Sequence, residues 1–176
     1  MGESILLAGT ELRHRLLQAL GSEDRVVAEA GLAAGRIEDP ARVSRAVLSS
    51  LPERLRAAQP TFGQSGGVHA CGLFDAQGGL EALREDVGRH NALDKVVGWA
   101  LAEARLPLAG RVMMLSGRIS FELVEKAILA GVPGLAAVGA PTTLAVEVAE
   151  AHGLTLVGFV RPGSLNVYAH AARVVP

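Results

Sequence analysis

From Val68 to Ala169 the hydrophobic period of this chain switches repeatedly between two residues and about 3.6, and few folds accept such an alternation. The run VHACGLFD reads as a strand, Gly78-Gly79 as a turn and LEALRED as a second strand, together an antiparallel hairpin. A helix over about residues 91–104 gathers Leu93, Val96, Val97, Ala100 and Leu101 on one face. The apolar strand RVMMLS follows, then a helix over about residues 120–130 carrying Phe121, Val124 and Ile128, and the strand GLAAVGA. A helix over residues 142–151 (Leu144, Ala145, Val148), the strand TLVGFV and a last short strand, LNVYA, close the chain. Short apolar strands alternating with amphipathic helices predict an α/β fold, a three-layer αβα arrangement in which a mixed sheet is covered on both faces.

Upstream, apolar residues at Val43, Val47, Leu48, Leu51 and Leu55 predict helix within residues 41–59, with Pro52 marking a break or the first turn of a second helix. Residues 1–40 read as a short amino-terminal appendage, with an amphipathic stretch at residues 11–20, and residues 41–176 as the main domain. With 49% hydrophobic but only 3% aromatic residues, the core must be aliphatic. A net charge of -1 and the lack of a long Lys/Arg cluster argue against nucleic acid as a partner. The longest uncharged apolar run, from Ala127 to Val146, is broken by Gly131, Pro133, Gly139 and Pro141, which argues against a membrane span. The amino terminus has no basic start and no signal-type apolar stretch, so a cytoplasmic location is the expectation.

In an open α/β sheet, ligands bind beyond the carboxyl ends of the strands, where loops pass into helix amino termini whose free N–H groups favour phosphate. Three such loops stand out: Ser116-Gly117-Arg118, then Gly139-Ala140-Pro141-Thr142, then Arg161-Pro162-Gly163-Ser164. Each offers glycine for close backbone approach and a hydroxyl, and two offer an arginine fork suited to a phosphate or a guanine edge. Taken singly, Thr142 is also a good helix N-cap, and Gly117 and Gly163 are ordinary turn residues.

The densest polar string, ALREDVGRHNALDKVVGW, places Arg89, His90 and Asn91 where the hairpin hands over to a helix. There side chains and the first helical N–H groups can converge on an anion, with Asp94 and Lys95 one turn on. The alternative is a solvated helix start with Asn91 as cap. His69 and Cys71 alternate onto one side of their strand, but the zinc-deaminase pattern needs HxE and PCxxC, and neither is present, so no metal site is expected. Cys71, the single cysteine, lies in an apolar run and reads as a buried structural thiol.

Four stretches, QPTFGQSGGVHACGLFD, REDVGRHNALDKVVGWAL, SGRISFELVEKAILAGVP and AVGAPTTLAVEVAEAHGLTLVGFVRPGSLNVY, together resemble the FdhD/NarQ family of formate dehydrogenase accessory proteins. The resemblance implies a fold similar to the cytidine deaminases and a homodimer. It implies a protein that takes sulfur from a cysteine desulfurase and passes it to the molybdenum bis(molybdopterin guanine dinucleotide) cofactor before that cofactor enters formate dehydrogenase. It further implies that guanine nucleotide, with GDP or GTP as surrogate, binds this region, and that Phe159, Val160, Arg161, Pro162, Gly163 and Ser164 touch the cofactor. The family's sulfur-carrying CxxC lies upstream of the Gly66-Gly67-x-His69 segment; EAGLAAGRIEDP resembles a CGxCG loop with Ala30 and Ala33 in the cysteine places. Three expectations follow: a sulfurtransferase, a cofactor-binding chaperone without sulfur transfer, and a nucleotide-using enzyme on a deaminase-like fold. Only Cys71 offers a thiol to the first.

Overall fold

The computed structural model describes residues 35–176, and the expectations placed on residues 11–20, Ala30 and Ala33 lie outside the described residues. The apolar runs assemble into one six-stranded sheet of order β3-β2-β4-β5-β6-β7. Its strands are β2 (His69–Phe74), β3 (Leu80–Asp86), β4 (Val112–Leu115), β5 (Gly134–Ala137), β6 (Thr155–Arg161) and β7 (Ser164–Ala169). The central β4, β5 and β6 are parallel, and β2, β3 and β7 add antiparallel neighbours at the two sides. VMML and GLAA are buried along their whole length, as parallel strands covered on both faces require.

Three helices cover one face: α3 (Arg89–Ala102), α4 (Phe121–Leu129) and α5 (Thr143–His152). Their Leu93, Val96, Leu123, Val124 and Val148 pack with Cys71, Leu73, Met113, Leu115, Leu135 and Leu156 of the sheet. On the opposite face α1 (Arg45–Ala57) lays Leu48, Leu51 and Leu55 against Phe74, Met114, Ala136 and Val157. The mixed α/β architecture expected from the alternating periods is present, in three layers.

Two local expectations are corrected, and one helix was not expected. Pro52 neither ends nor starts a helix: α1 runs through it unbroken. The interruption costs about 3 kcal/mol, but Leu48, Leu51 and Leu55 form one buried stripe across it, each contributing roughly 1.5–3 kcal/mol. The α3 helix begins at Arg89 with Gly88 as N-cap, so Asn91 is not the cap. A short helix, α2 (Pro60–Ser65), had no apolar pattern to announce it; Glu85 caps its start, accepting from Thr61 N at 2.9 Å and Phe62 N at 3.0 Å.

The edge of the sheet at the strand amino termini is closed by a clamp. Arg173 donates to Ile37 O, Asp39 O, Gly153 O and Thr155 Oγ1 at 2.7–3.2 Å. Asp39 Oδ2 accepts from Gly110 N at 2.7 Å, and the short strands β1 (Val43–Ser44) and β8 (Val174–Val175) pair in parallel beside it. Residues 37–44 are thereby fixed to the same core as the rest. The opposite edge, where β4, β5 and β6 end, carries the polar loops.

Candidate functional site

At that rim the loops after β4 and β5 continue side by side. Val138 N donates to Leu115 O, Gly139 N to Gly117 O, Ile119 N to Ala140 O and Thr142 N to Ile119 O, at 2.9–3.2 Å. The packing is so close that a Cβ on Gly139 would lie 2.9 Å from both Arg118 Cγ and Gly117 O. Gly117 is also hemmed in: a Cβ there would meet the His69 ring at 3.3 Å and Arg89 Cδ at 3.6 Å. Glycine at these positions lets β2, β4 and the start of α3 meet at one point.

The corner entering α3 is built from Asp86. Its carboxylate accepts from Lys95 Nζ at 2.6 Å, Gly88 N at 2.9 Å and Asn91 Nδ2 at 3.0 Å. The Lys95 bond, with help from Gly88 and Asn91, holds the Asp86 carboxyl down to about 2. Asn91 is therefore spent on the corner. Arg89 and His90 turn inward from it. Arg89 Nε is buried with no hydrogen-bond partner. His90 Nε2 lies 3.0 Å from Ser120 Oγ, and burial, with the Arg89 charge second, lowers the imidazole below its ordinary range, so it is neutral at pH 7. Just after β4, Ser116 Oγ accepts from Ala70 N at 2.8 Å and lies 3.4 Å from His69 Nδ1.

The first turns of α4 complete the cluster. Ser120 is the N-cap, but its hydroxyl bonds no helix N–H and is turned to His90 instead. Glu122 Oε2 and Glu125 Oε1 are both buried without a partner. Glu125 is 2% exposed, and burial followed by the nearby Glu122 charge pushes its carboxyl up to about 7. Lys126 is held on Asp94 at 2.7 Å.

The third loop lies two strands along. Pro162-Gly163 forms the turn between β6 and β7, with Gly163 at φ +73°, and Arg161, Pro162, Gly163 and Ser164 are exposed while Val160 is buried. Phe159 adopts φ +51° at a slip in strand register, is 38% exposed, and its N–H donates to Gly139 O at 3.2 Å. A bulky residue in that region of backbone space is rare and gathers at functional sites. The hairpin also borders a cleft of about 270 Å³ lined by Arg45, Ser49 and Ser164.

Of the residues singled out from sequence, Arg89, His90, Ser116, Gly117, Arg118 and Pro141 meet at the rim, with 159–164 beyond them. Thr142 uses its hydroxyl to cap α5, accepting from Ala145 N at 3.2 Å. Ser120 and Glu122 were missed, because a serine at a helix N-cap and a glutamate in the first turn read as ordinary helix-start residues. Cys71 sits in mid-strand between Arg84 and Leu115, 0% exposed; burial, reinforced by the Asp94 charge, raises its thiol far above the ordinary range. No group of three or more His, Cys, Asp or Glu able to hold a metal ion occurs among the described residues, and none of their helices is long and apolar enough to cross a membrane.

With this geometry in hand, known proteins supply context. The FdhD/NarQ family model matches residues 12–175. The chain is 54% identical over 136 residues to a sulfur carrier protein FdhD of Mycolicibacterium paratuberculosis, covering 77% of this chain and 50% of that protein. It is 58% identical over 135 residues to that of Streptomyces coelicolor, covering 77% of this chain and 48% of that protein. The chain thus spans about half the length of these curated relatives. A crystal structure of a protein described as a formate dehydrogenase accessory protein, from Desulfotalea psychrophila, superposes with a TM-score of 0.75 at 29% identity, covering 84% of this chain and 62% of that one.

Proposed function

The chain belongs to the FdhD/NarQ family, and on that premise we propose that its strand-end rim holds the guanine nucleotide part of molybdenum bis(molybdopterin guanine dinucleotide) as a substrate bound for formate dehydrogenase. One observation carries this reading: Arg89 Nε, a buried guanidinium N–H with no partner, sits beside Gly117 at the amino terminus of α3. A buried unmade hydrogen bond costs roughly 1–3 kcal/mol, and a ligand acceptor removes that cost. The residues suit such a ligand. The free N–H groups at the start of α3 favour phosphate oxygens. Arg118 and Arg161 add exposed guanidinium groups, and Phe159 offers a face for stacking.

In the same reading the cofactor receives sulfur that a cysteine desulfurase supplies, and this chain's residues bind and orient the acceptor. Cys71 is not the carrier: sulfur relay needs an accessible thiolate, and burial denies Cys71 both access and ionisation. That burial also favours a second reading, in which these residues act as a cofactor-holding chaperone and the persulfide is carried elsewhere. The two guanine nucleotides of the cofactor suit two copies of the rim, hence a homodimer, which light scattering with and without GDP tests. For the rim itself, isothermal titration of GDP is the direct measurement. Binding in the micromolar range, weakened about tenfold or more by Arg161→Ala, supports it; absence of binding at millimolar GDP removes its basis.

A further inference from the structure

At the edge where β4, β5 and β6 begin, opposite the rim, a narrow slot opens between the start of α1 and the strands. Its walls are aliphatic: Val43, Leu48, Val112, Leu135 and Val157, all buried. Arg42, Arg111 and Arg173 also line it, and no acidic side chain does. From this juxtaposition we infer a docking site for an acidic segment of a partner protein, which seats one aliphatic side chain in the slot and lays carboxylates on the arginines. The inference is independent of the nucleotide reading of the rim. Arg42 is exposed and makes no hydrogen bond or ion pair among the described residues. Arg111 Nε lies 3.3 Å from Glu81, but Arg105 takes the same carboxylate at 3.4 Å, so two cations share one anion. Arg173 spends its N–H groups on three carbonyls and a hydroxyl, which satisfy its hydrogen bonds and leave its charge unmatched. Asp39 and Asp75, whose carboxylates are bonded to loop N–H groups, offset part of this charge from outside the lining.

The size and lining of the slot select the occupant. Its void is about 20 Å³, and one water-sized group needs roughly 10–15 Å³, so the slot takes the tip of an aliphatic side chain. A lipid chain is too large for it. No aromatic ring lines it on which a nucleic-acid base could stack. A bare phosphate would meet the arginines and leave the apolar walls uncovered. An aliphatic anchor flanked by carboxylates satisfies both parts: the tip leaves water for an apolar void, and the flanking charges fix its register on the guanidinium groups. The placement has a functional consequence. A partner held at the amino ends of the strands leaves the rim at their carboxyl ends open, so a partner and a rim ligand can be held at the same time.

The probe is a short acetylated peptide, glutamate-aspartate-leucine-glutamate-aspartate, titrated into the whole isotope-labelled chain and followed by amide NMR shifts. The shifts are expected to gather at Val43, Val112, Gly134 and Val157. Serine in place of the peptide's leucine is expected to weaken binding about tenfold, and Arg42→Glu in the protein about fivefold or more. Saturating GDP is expected to leave peptide binding unchanged. Absence of shifts at millimolar peptide overturns the inference. Equal affinity for the serine peptide overturns it too, because charge alone then accounts for binding. Displacement by an equal concentration of inorganic phosphate marks a simple anion site, and displacement by GDP puts the peptide at the rim; either result overturns the assignment. Shifts at the same amides when the chain is diluted without peptide mean that a second copy fills the slot, and overturn it as well. The peptide comparisons use the wild-type protein, so misfolding of a variant cannot shelter the inference.

Discussion

Two arginines at opposite edges of the same sheet have opposite fates. At the strand amino termini Arg173 spends its guanidinium on four acceptors, Ile37 O, Asp39 O, Gly153 O and Thr155 Oγ1. At the strand carboxyl termini Arg89 keeps a buried Nε unbonded, and at the start of α4 Glu122 keeps a buried Oε2 unbonded. The first edge is saturated internally and contributes stability. The second retains unmet hydrogen-bonding capacity that a folded chain ordinarily satisfies, and the proposed nucleotide would meet it.

The contrast breaks most visibly at the clamp. Arg173→Ala should cost roughly 2–4 kcal/mol of folding stability, measured by urea unfolding, with GDP affinity of the folded protein unchanged. A loss of GDP binding without a loss of stability would erase the distinction between the edges. Arg89→Ala should do the reverse: GDP binding falls by roughly 1–3 kcal/mol, while stability stays level or rises, because an unsatisfied buried donor is removed.

Glu125 sharpens the picture through pH. Its folded carboxyl titrates at about 7, above the ordinary carboxylate value of 4.5, so the native state holds a proton that the unfolded chain has released between those values. Stability should therefore fall as pH rises through that window. The penalty is absent below about 4.5 and complete above about 7. Glu125→Gln should raise stability by roughly 1–2 kcal/mol at pH 8 and leave it unchanged near pH 4, read from thermal unfolding at both. Equal effects at the two pH values would place the carboxylate in water. The smallest effect belongs to Cys71. Cys71→Ala should cost about 1 kcal/mol through lost packing and leave GDP binding untouched. Incubation of the wild type with a desulfurase and cysteine should leave no persulfide on Cys71 by mass spectrometry.

Much of this architecture is legible in the sequence because burial has a period. VMML and GLAA are continuous apolar runs, and Leu93, Val96 and Ala100 recur at helical spacing, so the central strands and α3 are read directly. Pro52 misleads because local propensity argues for a break, while Leu51 and Leu55 are buried by partners distant in sequence. At the rim, glycine marks where the loops approach closely, since the need for a missing Cβ is a local property. Whether a polar group is spent or free is not local. Thr142 caps its own helix, Asn91 serves Asp86, and Ser120 turns from its helix to His90, which lies 30 residues earlier in the chain. Only the assembled fold distinguishes the unbonded Arg89 from the saturated Arg173.

The most direct measurement is a crystal structure of this chain with GDP. The nucleotide is expected at the carboxyl ends of β4, β5 and β6, with Arg89 Nε within about 3 Å of a ligand acceptor. Nucleotide bound at the Arg173 edge, or in the cleft between Arg45 and Ser164 with Arg89 Nε still unbonded, would contradict the assignment of the site to the rim.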